Sequence, residues 1–233
     1  MLHHIEHRFI AGIRFDAQLA YEARNVRKLS SAGASTYEAL PTLRLRDPQQ
    51  ALLVSILQAA AILTGMRRRD LLGLMRRQLN ALASEPLASD SGADAAISMV
   101  KRSGVELASQ HIVLDSTTAT TQWKGLLAPY SLHLVRVRGL HAHRWSLIVG
   151  VEHAQHAASR DLRALLLLDS QASEPWASGF NARLELEAGS GLSLGRAANP
   201  TGLPLAYRGL DGEAEPVALC DLIELQPRAK AVS

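Results

Sequence analysis

Cysteine is nearly absent: the chain of 233 residues holds one, Cys220. That excludes a disulfide framework within the chain and any zinc or iron–sulfur centre built on several thiolates. Aromatic residues are scarce at 4%, which argues against a nucleic-acid surface made of base-stacking rings. No apolar run approaches the roughly 18 residues of a membrane-spanning helix. The opening MLHHIEHRFIAG lacks the long apolar segment of a secretory signal. A soluble, cytoplasmic protein without a membrane partner is the expectation. Glycine (16) and proline (9) are scattered without a period, which excludes collagen-like and low-complexity classes. What is present is ordinary globular material, 47% hydrophobic and 20% charged. A chain of this length buries a core without covalent staples, and we expect one α+β domain over residues 1–233.

Charge is mild in sum, +3 at pH 7 with a pI near 9.3, and uneven along the chain. Arg and Lys outnumber Asp and Glu over residues 1–82, and the reverse holds from Arg160 onward. The densest basic patch is Arg67, Arg68 and Arg69, with Arg76 and Arg77 two turns later. Such clusters neutralise nucleic-acid phosphates in a salt-dependent way. They also form the solvated face of amphipathic helices. Nucleic acid is therefore kept as an alternative partner.

The hydrophobic period changes near residue 110. Before it, Asp16 stands as an N-cap for FDAQLAYEARNVRKL, whose Leu19, Ala23, Val26 and Leu29 share one stripe. SSAGAS after it reads as a loop. Asp47-Pro48 is a strong helix start, with Asp as the cap and Pro at the first helical position. The stretch it opens, QQALLVSILQAAAILTG, is apolar on nearly every face, so it should be a central helix buried all round. RRRDLLGLMRRQLNALA is amphipathic with Leu71, Leu74, Met75 and Leu79 inward, and GADAAISMVKRSGVEL is a shorter helix ending at Gly104. The helical part thus spans about 16–107. From about 110 to 226 come strand candidates HIVLD, SLHLVRVR, RWSLIVGV, RALLLLD, ARLELEA and EPVALCDLIEL. The alternation of 132–138 predicts one buried and one wet face, and the unbroken Leu165–Leu168 predicts a central strand. The expected fold is α+β: a helical N-terminal half with a buried central helix, packed on a mostly antiparallel C-terminal sheet.

Candidate chemistry concentrates between Leu140 and Leu186. His143 enters a strand that ends at Gly150, Asp169 ends the next strand, and Trp176 and Asn181 follow. Adjacent strands could set the imidazole beside the carboxylate, as a base held by an orienting acid. His143 and Trp145 at one strand's start, Val149-Gly150 towards its end, and Leu166-Leu167-Leu168-Asp169 closing the next resemble the papain-like cysteine peptidases, particularly the bacterial C39-like branch. The order of a buried helix before the sheet is similar too. The resemblance implies a papain-like fold with a nucleophilic Cys at the amino end of the central helix, its thiolate favoured by the helix dipole.

This chain departs from that pattern where it matters most. Its helix opens Asp47-Pro48-Gln49-Gln50-Ala51 without a thiol, Ser55 falls two turns inside an apolar helix, and Cys220 lies in the last predicted strand. Aligned on Trp145 and Gly150, the family's His position falls on Arg144, while His143 sits one residue early and so on the opposite strand face. Without an attacking group the covalent route is closed. The expected function is a catalytically inactive peptide- or protein-binding accessory subunit, with vestigial His143 and Asp169 and a groove contributed by Gln49, Gln50, Trp145, Trp176 and Asn181. A third reading is a hydrolase whose nucleophile is unidentified or supplied by a partner chain.

Plainer roles stand beside these. Asp169 and Asn181 suit turns at strand ends, Trp145 and Trp176 suit packing, and Cys220 suits a small buried hydrophobe. His141, His143, Glu152, His153 and His156 could approach one another on a hairpin, but no helix-spaced ligand motif accompanies them. Gly189-Ser190-Gly191 and Gly195 lack the phosphate-loop pattern and read as turns. No metal and no cofactor is expected.

Overall fold

The computed structural model describes residues 4–9, 28–31, 34–37, 47–64, 66, 68–87, 92–113, 131–139, 143–156, 159–172, 180–186, 203–209 and 212–228. In chain order the elements are β1 (His4–Phe9), β2 (Lys28–Ser31), β3 (Ala34–Tyr37), α1 (Pro48–Thr64), α2 (Arg68–Ser84), α3 (Gly92–Arg102), β4 (Leu107–Ile112), β5 (Leu132–Arg138), β6 (His143–His156), β7 (Ser159–Leu168), β8 (Ala182–Glu185), β9 (Leu203–Gly209) and β10 (Glu215–Pro227).

Strands β5, β6, β7, β8, β9 and β10 pair in that order, all antiparallel, and β10 returns to β5. These six strands thereby form a closed barrel, to which β1 and β4 are added at the side of β6 and β10. Closure uses strands long enough to serve several neighbours. The amino half of β6 pairs β5 and its carboxyl half pairs β1, while β7 takes the other side. Strand β10 likewise pairs β9 first and β4 last along one side, with β5 along the other. Register shifts at Ile148/Gly150, Glu152/His153 and Leu219/Asp221 mark bulges that let these strands bend.

Direct cross-strand partners share a face, so the register sorts inside from outside. One face carries the half-buried ions Arg183, Glu185 and Arg208 and is therefore the outer wall. Its opposite carries Leu165, Leu167, Ala182, Leu184, Leu205, Tyr207, Val217 and Leu219, all buried, and fills the lumen. Through Val137, partner of both Leu219 and Arg144, the lumen face extends to Arg144 on β6.

Helix α1 packs against β5, β6 and β10. Asp47 caps it as expected: its Oδ1 accepts the Gln49 amide at 2.8 Å, and its carbonyl accepts the Ala51 amide at 3.0 Å. Every residue from Ala51 to Ile62 is buried, because α2 and α3 cover the sides that the barrel leaves open. The helices and barrel share one hydrophobic cluster. Helix α3 stops where Gly104 takes φ 89, a left-handed conformation that suits glycine.

Two expectations are corrected. The first half is not simply helical: β1 adds to the barrel wall, and the Lys28–Ser31 and Ala34–Tyr37 hairpin occupies the end of the expected 16–29 helix and the expected loop after it. The rest of that helix lies outside the described residues. The sheet is not an open layer under a helical half, because β7–β8–β9–β10 pairing closes it. Strand β9, which supplies two of those pairings, is missing from the expected set. No described helix is long and apolar enough to cross a membrane.

His133 lies on the lumen face opposite Ile148, with its Nδ1 unpartnered. Burial lowers its pKa from 6.5 to about 4, against the opposing pull of Glu224. The unfolded chain therefore binds this proton first as pH falls from 6.5 to 4, and stability falls with it. By about pH 4 the loss attributable to His133 is about 3 kcal/mol. Denaturant melts at pH 7 and near pH 4.5 should show a steeper decline for the native chain than for His133→Gln. Equal declines would exclude His133 as the source. Separately, Leu53, fully buried on α1, should cost about 2–5 kcal/mol as Leu53→Ala in the same melts at pH 7.

Candidate functional site

At one end of the lumen the barrel gathers four polar side chains. Strand β7 runs its leucines into Asp169, whose Oδ1 accepts the Gln171 amide at 2.7 Å in the turn that follows. Asn181, just before β8, grips the backbone of Asp169 from both sides. Its Oδ1 accepts the Asp169 amide at 2.7 Å and its Nδ2 donates to the Asp169 carbonyl at 2.6 Å. From β9 the Tyr207 hydroxyl donates to Asp169 Oδ2 at 2.5 Å. From β6 the Arg144 guanidinium approaches the same oxygen at 3.9 Å and Glu215 on β10 at 4.0 Å, and lies 5.0 Å from the centre of the Tyr207 ring. The neighbouring Ser170 hydroxyl reaches the Ala51 carbonyl at 3.4 Å, which sets the first turn of α1 against this end of the barrel.

The electrostatics follow from burial. The Asp169 carboxylate is wholly enclosed, and desolvation raises its pKa against the opposing effects of the Tyr207 hydroxyl, the backbone amides and Arg144. Burial, then the Asp169 charge, pushes the Tyr207 phenol upward, so it stays a donor. Arg144 is the wettest of the three, with 29% of its side chain exposed. Stacking on a ring and hovering between two carboxylates fixes its position. Its N–H groups lie beyond hydrogen-bond distance of either acid.

The expected site residues divide by strand face. His143 is next to Arg144 on β6 and therefore on the outer face, paired across the sheet with Arg138. Its pKa is lowered by desolvation and then by Arg136 and Arg138. It is Arg144, not His143, that meets Asp169, and the expected imidazole–carboxylate pair is corrected accordingly. Trp145 is on the outer face too, with the Arg136 guanidinium 5.6 Å from its ring centre; Arg136 also pairs with Asp221. Gln49 Nε2 donates to the Leu87 carbonyl at 2.9 Å and its Oε1 accepts the Leu87 amide at 3.2 Å, so its amide staples the segment after α2 to α1. Gln50 is half-buried in the first turn of α1. Trp176, Arg67, His141 and residues 189–195 lie outside the described residues, as do the side chains of Arg68 and His156. Arg69, Arg76 and Arg77 are exposed along α2.

Cys220 occupies the β10 bulge, where its thiol donates to the Ala218 carbonyl at 3.5 Å. Burial raises its pKa in spite of Arg138 and Arg136. That is the reverse of what activates a nucleophilic thiol. Among the described residues no group of three or more His, Cys, Asp or Glu could hold a metal. Glu152 instead pairs with Arg183 at 3.0 Å, and Arg208 with Glu185 at 2.8 Å, beside a polar cleft of about 220 Å³ on the outer wall.

Tyr207, Glu215 and Ser170 were not anticipated. The one available signal was Tyr207 itself, a lone ring in LPLAYRG, obscured by the proline and glycine that bracket it. A comparison with protein-family models and with curated proteins finds no match to this chain.

Removing the Asp169 carboxyl takes away the acceptor of the Tyr207 hydroxyl and of the Gln171 backbone N–H. Asp169→Ala should therefore lower unfolding stability by about 2–5 kcal/mol, and Tyr207→Phe by about 1–2 kcal/mol. Denaturant melts at pH 7 give the comparison. An Asp169→Ala chain as stable as the native one would show that the carboxylate does not tie the strands.

Proposed function

We propose that this chain is a non-hydrolytic binding protein that takes a peptide or protein segment at the barrel mouth, beside the first turn of α1. The observation that carries the reading is the pairing of Arg144 with Asp169, where the resemblance to the C39-like peptidases would put a histidine. A guanidinium keeps its proton across the physiological range, so it cannot act as the base that activates a nucleophile. The adjoining turn offers Gln49, Gln50 and Ala51, and no thiol or hydroxyl to be activated. Ser170 has its hydroxyl directed at the Ala51 carbonyl.

The same groups suit recognition. Arg144 is held by ring and acids, leaving N–H donors for peptide carbonyls or a terminal carboxylate. Glu215, half-buried at the rim, offers an acceptor for peptide amides. Positions are set by strand ends of a closed barrel, which limits the ordering cost on binding.

Incubating the purified protein with unstructured peptides should give no turnover. Hydrolysis that disappears in Asp169→Ala or in His143→Ala would overturn the reading, since both residues would then belong to a working site.

A further inference from the structure

Helix α2 turns Leu71, Leu74, Met75 and Leu82 into the core. At 100° per residue Arg69, Gly73 and Arg76 lie opposite, with Leu72 on one flank beside Arg69 and Arg76, and Arg77 on the other. Three properties mark this face. First, Arg69, Arg76 and Arg77 have no carboxylate partner among the described residues, and Asp70 is the only acid in the helix. Exposed helical arginines usually gain from an acid one turn away, and these do not. Second, Leu72 is 41% exposed beside Arg69 and Arg76, one of two large hydrophobic side chains, with Val113, that are exposed among the described residues. Third, Gly73 interrupts the helix interior, where glycine weakens a helix relative to alanine. Among the described residues only Arg77 lies over it, its Nη1 at an ordinary 3.6 Å from where a Cβ would stand.

We propose that this face docks an acidic, leucine-bearing helix of a partner protein. Arginines on both sides of an apolar spot complement a segment whose carboxylates flank an apolar side chain. Phosphates would satisfy the arginines alone and leave Leu72 without use, so a protein segment fits more of the surface than nucleic acid does. The inference is independent of the barrel mouth.

The probe is a short synthetic helix of glutamates with leucines at helical spacing, its leucine-to-serine counterpart, and a DNA duplex. Titration by anisotropy should show the leucine-bearing peptide binding at least about tenfold more tightly than either control. Arg76→Glu with Arg77→Glu, and Leu72→Ser alone, should each weaken it by about tenfold or more, with helical circular dichroism unchanged. Absence of peptide binding, equal or tighter binding of the duplex, or affinity unmoved by these substitutions would overturn the proposal.

Discussion

A carboxylate with no access to water sits at the end of β7, and four strands organise around satisfying it. Isolated there, Asp169 would carry a desolvation cost of several kcal/mol. Each remedy comes from a different element: the Tyr207 hydroxyl from β9, the Arg144 charge from β6 and the backbone amide of Gln171 from the turn, while Asn181 at the entry to β8 holds the Asp169 backbone in place. Elements remote in sequence are thus fixed at one end of the lumen. Ser170, the next residue, carries the same constraint to the first turn of α1. Geometry at the mouth is therefore a consequence of the polar bookkeeping inside the barrel.

Much of the frame could be read from local chemistry. Asp47-Pro48 marked the start of α1, and the lack of a polar face on Gln50–Thr64 foretold its burial, which the structure shows from Ala51 to Ile62. Alternation over 132–138 and the leucine run at 165–168 placed β5 and β7, but the wet face expected of β5 is buried from Leu132 to Val135. Closure was not legible. It depends on β10 returning to β5, the first strand of the barrel, by way of two short links, β8 and β9, four and seven residues long. Pro204 and Gly209 disguise β9 as a loop, although Pro204 faces outward and is exposed. The hairpin of β2 and β3 is built from Lys, Ser, Ala and Thr as much as from apolar residues, so no hydrophobic period announces it.

Part of the polar cluster was legible: Asp169 and Asn181, suited to strand ends, are joined there, and Arg144 stood out as the residue at the family's histidine position. His143 was the natural choice as a titratable group. Strand geometry decides against it: the residue facing the lumen is Arg144, and successive side chains alternate across the sheet. A chemical preference for histidine carried no information about register. Tyr207 and Glu215 had no nearby motif to reveal them, since both join the cluster only through barrel closure.

Having Arg144 rather than an imidazole beside Asp169 decides which protons this end of the barrel can exchange. Imidazole changes charge between about pH 5 and 8 and can pass a proton along. A guanidinium does neither, and its planar fork instead presents donors in fixed directions. Beside Asp169 the distinction is amplified by burial. A buried acid next to imidazole would form a titrating pair; next to Arg144 and Tyr207 it faces one permanent cation and one phenol kept protonated by its surroundings. Arg144 and Tyr207 therefore keep their protons over the physiological range and remain donors, as the proposed recognition of a peptide requires.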